Sequence, residues 1–83
     1  MVRIYTEDKN RDEIIKTVAY YTDGATIIPA IGLWRGQTEP SLIIEIDGLS
    51  MILVRQLAEE IRVMNCQECV MIHNGEGTIL CQG

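Results

Sequence analysis

The sequence predicts an α+β domain of order βαββαβ, a four-stranded antiparallel sheet with two helices on one face. Two segments carry apolar residues at helical spacing, and strand-like β-branched runs flank and separate them. The chain has 83 residues, enough for a single domain spanning 1–83 and too few for more.

Val2 to Thr6 reads as a short strand, with Val2, Ile4 and Thr6 on one face and Arg3 and Tyr5 on the other. Asn10 stands where a helix N-cap is expected, and Glu13 three residues on completes a capping box. Ile14, Ile15, Val18 and Tyr21 then recur at helical spacing, and Gly24 stops the helix. Of Tyr20 and Tyr21, one belongs to the core and one to the surface. Thr26 to Leu33 is β-branched and apolar, and Pro29 assigns it to a sheet edge. Trp34 to Pro40 reads as a turn. Ser41 to Asp47 is the clearest strand, with Leu42, Ile44 and Ile46 facing one way and Ile43 and Glu45 the other. A second helix follows Asp47-Gly48, with Leu53, Leu57, Ile61 and Met64 as its buried stripe. Arg55, Gln56, Glu59, Glu60 and Arg62 form its solvated face, with Arg55 and Glu59 four apart. Asn65 ends it. Cys69 to His73 is the last core strand, with Val70 and Ile72 inward. After the turn Asn74 to Gly77, Thr78 to Cys81 can return as a short C-terminal hairpin strand.

That order is the ferredoxin-like sandwich. Its open sheet face would carry Arg3, Tyr5, Ile43, Glu45, Met71 and His73. This set is too apolar for free solvent and too polar for an ordinary core.

Composition narrows the function classes. A domain this small buries only roughly 60–65% of its unfolded surface, yet 47% of its residues are hydrophobic. The excess points to a homo-oligomer, a dimer or larger. A net charge of −5, with seven scattered basic residues, argues against nucleic-acid binding. No apolar run approaches the ~20 residues of a membrane span, and no signal core follows the charged start, so a cytoplasmic location is expected. Three cysteines cannot all pair within one chain, which suits a reducing compartment and buried thiols.

The run from Gly32 to Ile46, G-L-W-R-G-Q-T-E-P-S-L-I-I-E-I, resembles a pattern in small proteins of bacteriophages and prophages. There an aromatic-Trp-x-Gly turn is followed by Glu, then Ser-Leu and a strand ending in I-E-I. Tyr20 to Thr26 is similar to their Tyr-aromatic-x-Gly-aromatic-Thr segment, with Ala25 in place of the aromatic. Asn65 to Val70 is similar to their Asn-x-Gln-Glu-x-Val. The likeness covers most of residues 2 to 72. Phage proteins of this size are often inhibitors of host defence, and some capture the nucleotide signals that immune enzymes release. The resemblance therefore implies a small nucleotide-like ligand, such as a cyclic nucleotide or an ADP-ribose derivative, held in the host cytoplasm.

The candidate ligand residues are Trp34, Arg35, Gln37, Glu39, Ser41, Glu45, Gln67 and Tyr5. Trp34 and Arg35 can stack on a base and pair with a phosphate; equally, the ring can pack on a neighbouring subunit. Glu39 and Ser41 can hydrogen-bond a ribose or satisfy turn amides. Glu45 is either a functional carboxylate or the cross-strand partner of Arg3. Gln67 can complete the site or cap a loop.

No metal site is expected. Cys66-x-x-Cys69, His73 and Cys81 lack the second Cys-x-x-Cys that would make a zinc signal strong. Cys66-x-x-Cys69 also enters a strand rather than a helix, unlike redox-active motifs. No catalytic residue set and no cofactor are indicated. A carboxylate pair, Glu39 with Glu45, is the nearest approach to one. The expected function is non-catalytic sequestration of the ligand at subunit interfaces. The alternatives are an inhibitor that binds a host defence protein directly and a small hydrolase of the same signal.

Overall fold

The computed structural model describes the backbone of residues 1–77 and 79–83 and the side chains of residues 1–77 and 81–83. Its elements are β1 (Val2–Glu7), α1 (Arg11–Tyr21), β2 (Thr26–Trp34), β3 (Gln37–Ile46), α2 (Met51–Met64), β4 (Val70–His73) and β5 (Ile79–Gln82). The strands form one antiparallel sheet in the order β2-β3-β1-β4-β5. The α+β class and the two helices are as expected. The sheet has five strands rather than four, because β5 adds to the outer edge of β4. The expected start of that strand, Thr78, lies outside the described residues.

The inward rows of the strands and one face of each helix form the core. Ile4, Leu42, Ile44, Ile46, Val70 and Ile72 come from the sheet, and Ile14, Val18, Val54, Leu57, Ala58 and Ile61 from the helices. Each fully buried aliphatic side chain contributes roughly 1.5–3 kcal/mol, so this apolar alternation sets the facing of every strand. Pro29 does lie on an edge strand, where a missing N–H leaves no ladder bond broken on both sides. Tyr21 packs against the core and Tyr20 is exposed.

Several local expectations are corrected. Asn10 precedes α1 but sits in the left-handed region at φ 56°, with no side-chain cap bond, so the capping box does not form. Gly24 does not end α1; Thr22 does so in extended conformation, its N–H reaching Val18 O. In α2 the buried stripe is Val54, Leu57, Ala58 and Ile61, while Leu53 is partly exposed. Ser50 sets this phase by accepting from the Leu53 N–H at 3.3 Å. Glu59 pairs with Arg62, not Arg55, through Nε at 2.8 Å.

Asn65 ends α2 as expected, and it is buried. Its Nδ2 donates toward Thr6 Oγ1, Glu7 O and Gln67 Oε1, each at 3.3 Å. Its Oδ1 accepts from Asn10 Nδ2 at 3.1 Å. Thr6 Oγ1 donates to Gln67 Oε1. One buried amide thus ties the ends of β1 and α2 to the start of α1.

Two outcomes follow. Asn65→Ala removes the buried amide that donates toward Thr6 Oγ1, Glu7 O and Gln67 Oε1 and should cost about 1–3 kcal/mol by urea denaturation. The second concerns pH. Arg62 holds the Glu59 carboxyl below its ordinary range, with Gln82 adding to the effect, and Arg11 does the same for Asp8. Folded-state values below the unfolded ones give stability that is present above the ordinary carboxylate range and lost as pH falls through the depressed values. Glu59 is partly exposed and Asp8 half-buried against a solvent-exposed Arg11, so the loss is modest. Glu59→Gln should flatten the fall in urea midpoint between about pH 5 and about pH 2.

Candidate ligand-binding face

The β2–β3 hairpin turns more tightly than expected. Arg35 (φ 50°) and Gly36 (φ 77°) alone form the turn, and positive φ at both is the signature of a type I′ hairpin. Trp34 pairs with Gln37, Leu33 with Thr38 and Gly32 with Glu39. Gln37 to Pro40 is therefore strand, not turn.

β1 reaches this hairpin only as far as Glu7 opposite Ser41, with one further bond from Asp8 N to Pro40 O at 3.0 Å. Residues 31–40 project beyond it as a two-stranded arm. Ile31 and Leu33 are 81% and 73% exposed on the helix side of the arm, and Trp34 is 66% exposed on the other side. The Arg35 guanidinium lies 5.4 Å from the centre of the Trp34 ring, a cation–π contact. The ring is not buried by its own neighbours.

Register places the remaining candidates. Thr26, Glu45, Arg3 and His73 form one row across the open face. Ile28, Ile43, Tyr5 and Met71 form the next, and Ala30, Ser41 and Glu7 the third. Trp34, Gln37, Glu39, Ser41, Glu45 and Tyr5 thus share the open face, and Arg35 sits at the arm's tip. Gln67 does not share it: its side chain belongs to the Asn65 cluster, and its Nε2 donates to Cys69 O at 3.4 Å.

The set does not converge within one chain. Glu39 and Glu45 are six residues apart on one strand, roughly 20 Å at ~3.4 Å per residue. That is too far for a carboxylate pair acting on one bond. Glu45 is also engaged, accepting from Arg3 Nε at 2.7 Å, the cross-strand alternative. Beside this pair, His73 keeps its Nδ1 buried and, among the described residues, without a hydrogen-bond partner.

The arm end of the face has an open hollow of about 330 Å³, lined by Glu7, Asp8, Lys9, Glu39 and Pro40. Lys9 Nζ lies 2.8 Å from Glu7 Oε2, and Glu7, then Cys66 and Glu39, hold its ammonium above the ordinary lysine range. Glu7 and Lys9 were not legible as site residues, because only the β1–β3 register brings them to Glu39. Gly32 is a further element. A Cβ there would lie 2.5 Å from Ser41 Oγ and 3.4 Å from Glu39 Cγ, so its bare backbone leaves room for both side chains. At the opposite end, a hollow of about 210 Å³ lies between Met1, Thr26, Glu45 and Asp47.

The cysteines are not all buried thiols. Cys69 and Cys81 are joined as a disulfide, and Cys66 is free and exposed. Among the described residues no three His, Cys, Asp or Glu side chains gather as a metal site requires. Among them, too, no helix is long and apolar enough to cross a membrane.

No family model matches the chain, and no curated protein matches it. Among solved structures it is similar to a phage SAM lyase in its apo state. The two share 27% identity at a TM-score of 0.65, over 99% of this chain and 79% of the other. The likeness supports the two-helix, antiparallel-sheet architecture and is consistent with a phage protein.

Gly32→Ala should push the Ser41 hydroxyl to another rotamer at little cost in stability. Amide and side-chain NMR shifts concentrated at Ser41 and Glu39, with a nearly unchanged melting point, would show it.

Proposed function

We propose that this protein acts on SAM (S-adenosylmethionine) or a closely similar adenosyl sulfonium, bound on the open sheet face where two subunits meet. The observation that carries this reading is the full-length likeness to a phage SAM lyase. The chemistry of the face agrees with it. The ligand has an aromatic base, a ribose, a sulfonium cation and an amino-acid end. Trp34 supplies a stacking surface for the base, a contact type worth about 1–3 kcal/mol. Glu39 and Ser41 supply hydrogen bonds for hydroxyl groups. The hollow at Glu7, Lys9 and Glu39 sets carboxylates beside one ammonium, which suits a zwitterionic amino-acid end.

Subunit contact is part of the proposal. A two-stranded ribbon is marginal by itself, and the arm is apolar on both sides through Ile31, Leu33 and Trp34. Packing it on a second copy of the chain covers these residues and encloses a ligand that one open face cannot surround.

A bound sulfonium can be held or cleaved. Internal displacement balances without another reactant: the ligand's own carboxylate attacks carbon, the C–O bond forms as the C–S bond breaks, and a neutral thioether and a lactone are released. That step asks the protein to fix the conformation and exclude water rather than supply a nucleophile. The neighbour's lyase activity favours cleavage. Sequestration without turnover is the second reading, favoured by the distance between Glu39 and Glu45, which leaves no paired acid and base within one chain.

Thermal unfolding with SAM tests binding, and chromatography of the nucleoside products tests turnover. At a hundred times its dissociation constant, SAM should add about 2.7 kcal/mol of stability. Trp34→Ala and Glu39→Gln should lose most of that gain. Loss of SAM with appearance of a thioether nucleoside means lyase, and recovery of intact SAM means sequestration. A shift with cyclic nucleotides or ADP-ribose derivatives and none with SAM would replace the proposed ligand.

A further inference from the structure

β5 is the strand that the four-stranded arrangement does not require. It pairs with β4 over a short ladder, from Val70 opposite Gln82 to His73 opposite Ile79. Fastenings stand on both sides of it. On the helix side, Gln82 Nε2 donates to Glu59 Oε2 at 3.4 Å, and Glu59 is itself held by Arg62. Arg62 also donates from Nη1 to Gln67 O at 3.2 Å, steadying the loop that enters β4. The covalent fastening joins Cys81, which lies opposite Met71 on the open face, to Cys69. Their Cα atoms are 5.6 Å apart, within the range a disulfide spans, and 12 residues separate them in sequence. Cys81 is exposed and Cys69 half-buried, so a small thiol can reach the bond.

We propose that Cys69 and Cys81 form a redox clasp on this edge strand. In an oxidising glutathione pool the clasp closes and locks β5 onto β4. In a reducing pool it opens, β5 loosens, and the backbone N–H and C=O groups along the β4 edge are bared. A four-residue strand at a sheet edge has few other contacts to keep it docked, so local release need not unfold the sheet.

The exchange balances with a low-molecular-weight disulfide as oxidant. One cysteine thiolate attacks a sulfur of oxidised glutathione and expels a glutathione thiolate, leaving a mixed disulfide. The other cysteine thiolate then attacks the protein-bound sulfur and expels the second glutathione. Two electrons pass to the glutathione disulfide, and the two cysteine protons end on the released thiols. Cys66 takes no part; it remains a free thiol in both states.

The purified full chain, equilibrated in glutathione buffers of graded ratio, gives the test. Alkylation and intact mass count the free thiols, and hydrogen exchange follows residues 79–83. Alkylated cysteines should fall from all three to Cys66 alone as the buffer becomes oxidising. Amide exchange in β5 should be roughly tenfold or more faster in the reduced protein, with β1 and β3 unchanged. Cys81→Ser should behave as the reduced form in every buffer, and Cys66→Ser should keep the transition. Three free thiols at every ratio, equal β5 exchange in both states, or loss of the transition in Cys66→Ser would each overturn the clasp.

Discussion

The register of β2 against β3 is the constraint on which the rest of the structure depends. Two forces impose it independently. The Arg35-Gly36 turn, with positive φ at both residues, joins the strands by the two-residue connection whose twist matches a hairpin. Burial of Leu42, Ile44 and Ile46 fixes which side of β3 meets the helices. A slip by one residue would send Ile44 into solvent and Glu45 into the core. β1 then pairs with β3, and β4 with β1, in registers that bury Ile4 beside Ile44 and Ile72, and these set Arg3 opposite both Glu45 and His73. The composition of the open face is thus a consequence of core packing.

What was legible in the chain follows from burial. Wherever one face of an element is fully covered, its pattern is clean: Leu42-Ile44-Ile46 and Val70-Ile72 are buried as their spacing indicates, and of the α1 set Ile14 and Val18 are buried while Ile15 is exposed. The hairpin arm escaped this logic. Neither of its sides is covered by the helices, so Gln37 to Pro40 show no apolar alternation and read as a loop although they are strand. The first turn of α2 failed for the opposite reason. Met51, Ile52, Leu53 and Val54 are all apolar and carry no phase; the Ser50 cap chooses it.

The site was legible only in part, because its residues meet through long-range pairing. Trp34, Glu39 and Ser41 could be picked out from local chemistry, and they do share a face. Glu7 and Lys9 join them from far earlier in the chain, across the β1–β3 ladder. Gln67 was drawn toward the site by its polarity, yet the buried Asn65 amide claims it. The cysteine pairing depends on the β4–β5 register, which no local signal around Cys69 encodes.

The arm links assembly to ligand chemistry in the proposed function. Past Ser41 the hairpin loses its third strand, and a two-stranded ribbon is marginal by itself. Its backbone carries Ile31 and Leu33 toward one side and Gly32, Trp34 and Glu39 toward the other. An apolar surface that docks Ile31 and Leu33 would therefore also fix the positions of Trp34 and Glu39, which a free arm leaves loose. Ordering entropy would then be met once, on assembly, and a ligand arriving later would find its stacking surface and carboxylate already placed. Binding on this face and association of the chain would accordingly reinforce each other, since each favours the same ordered arm.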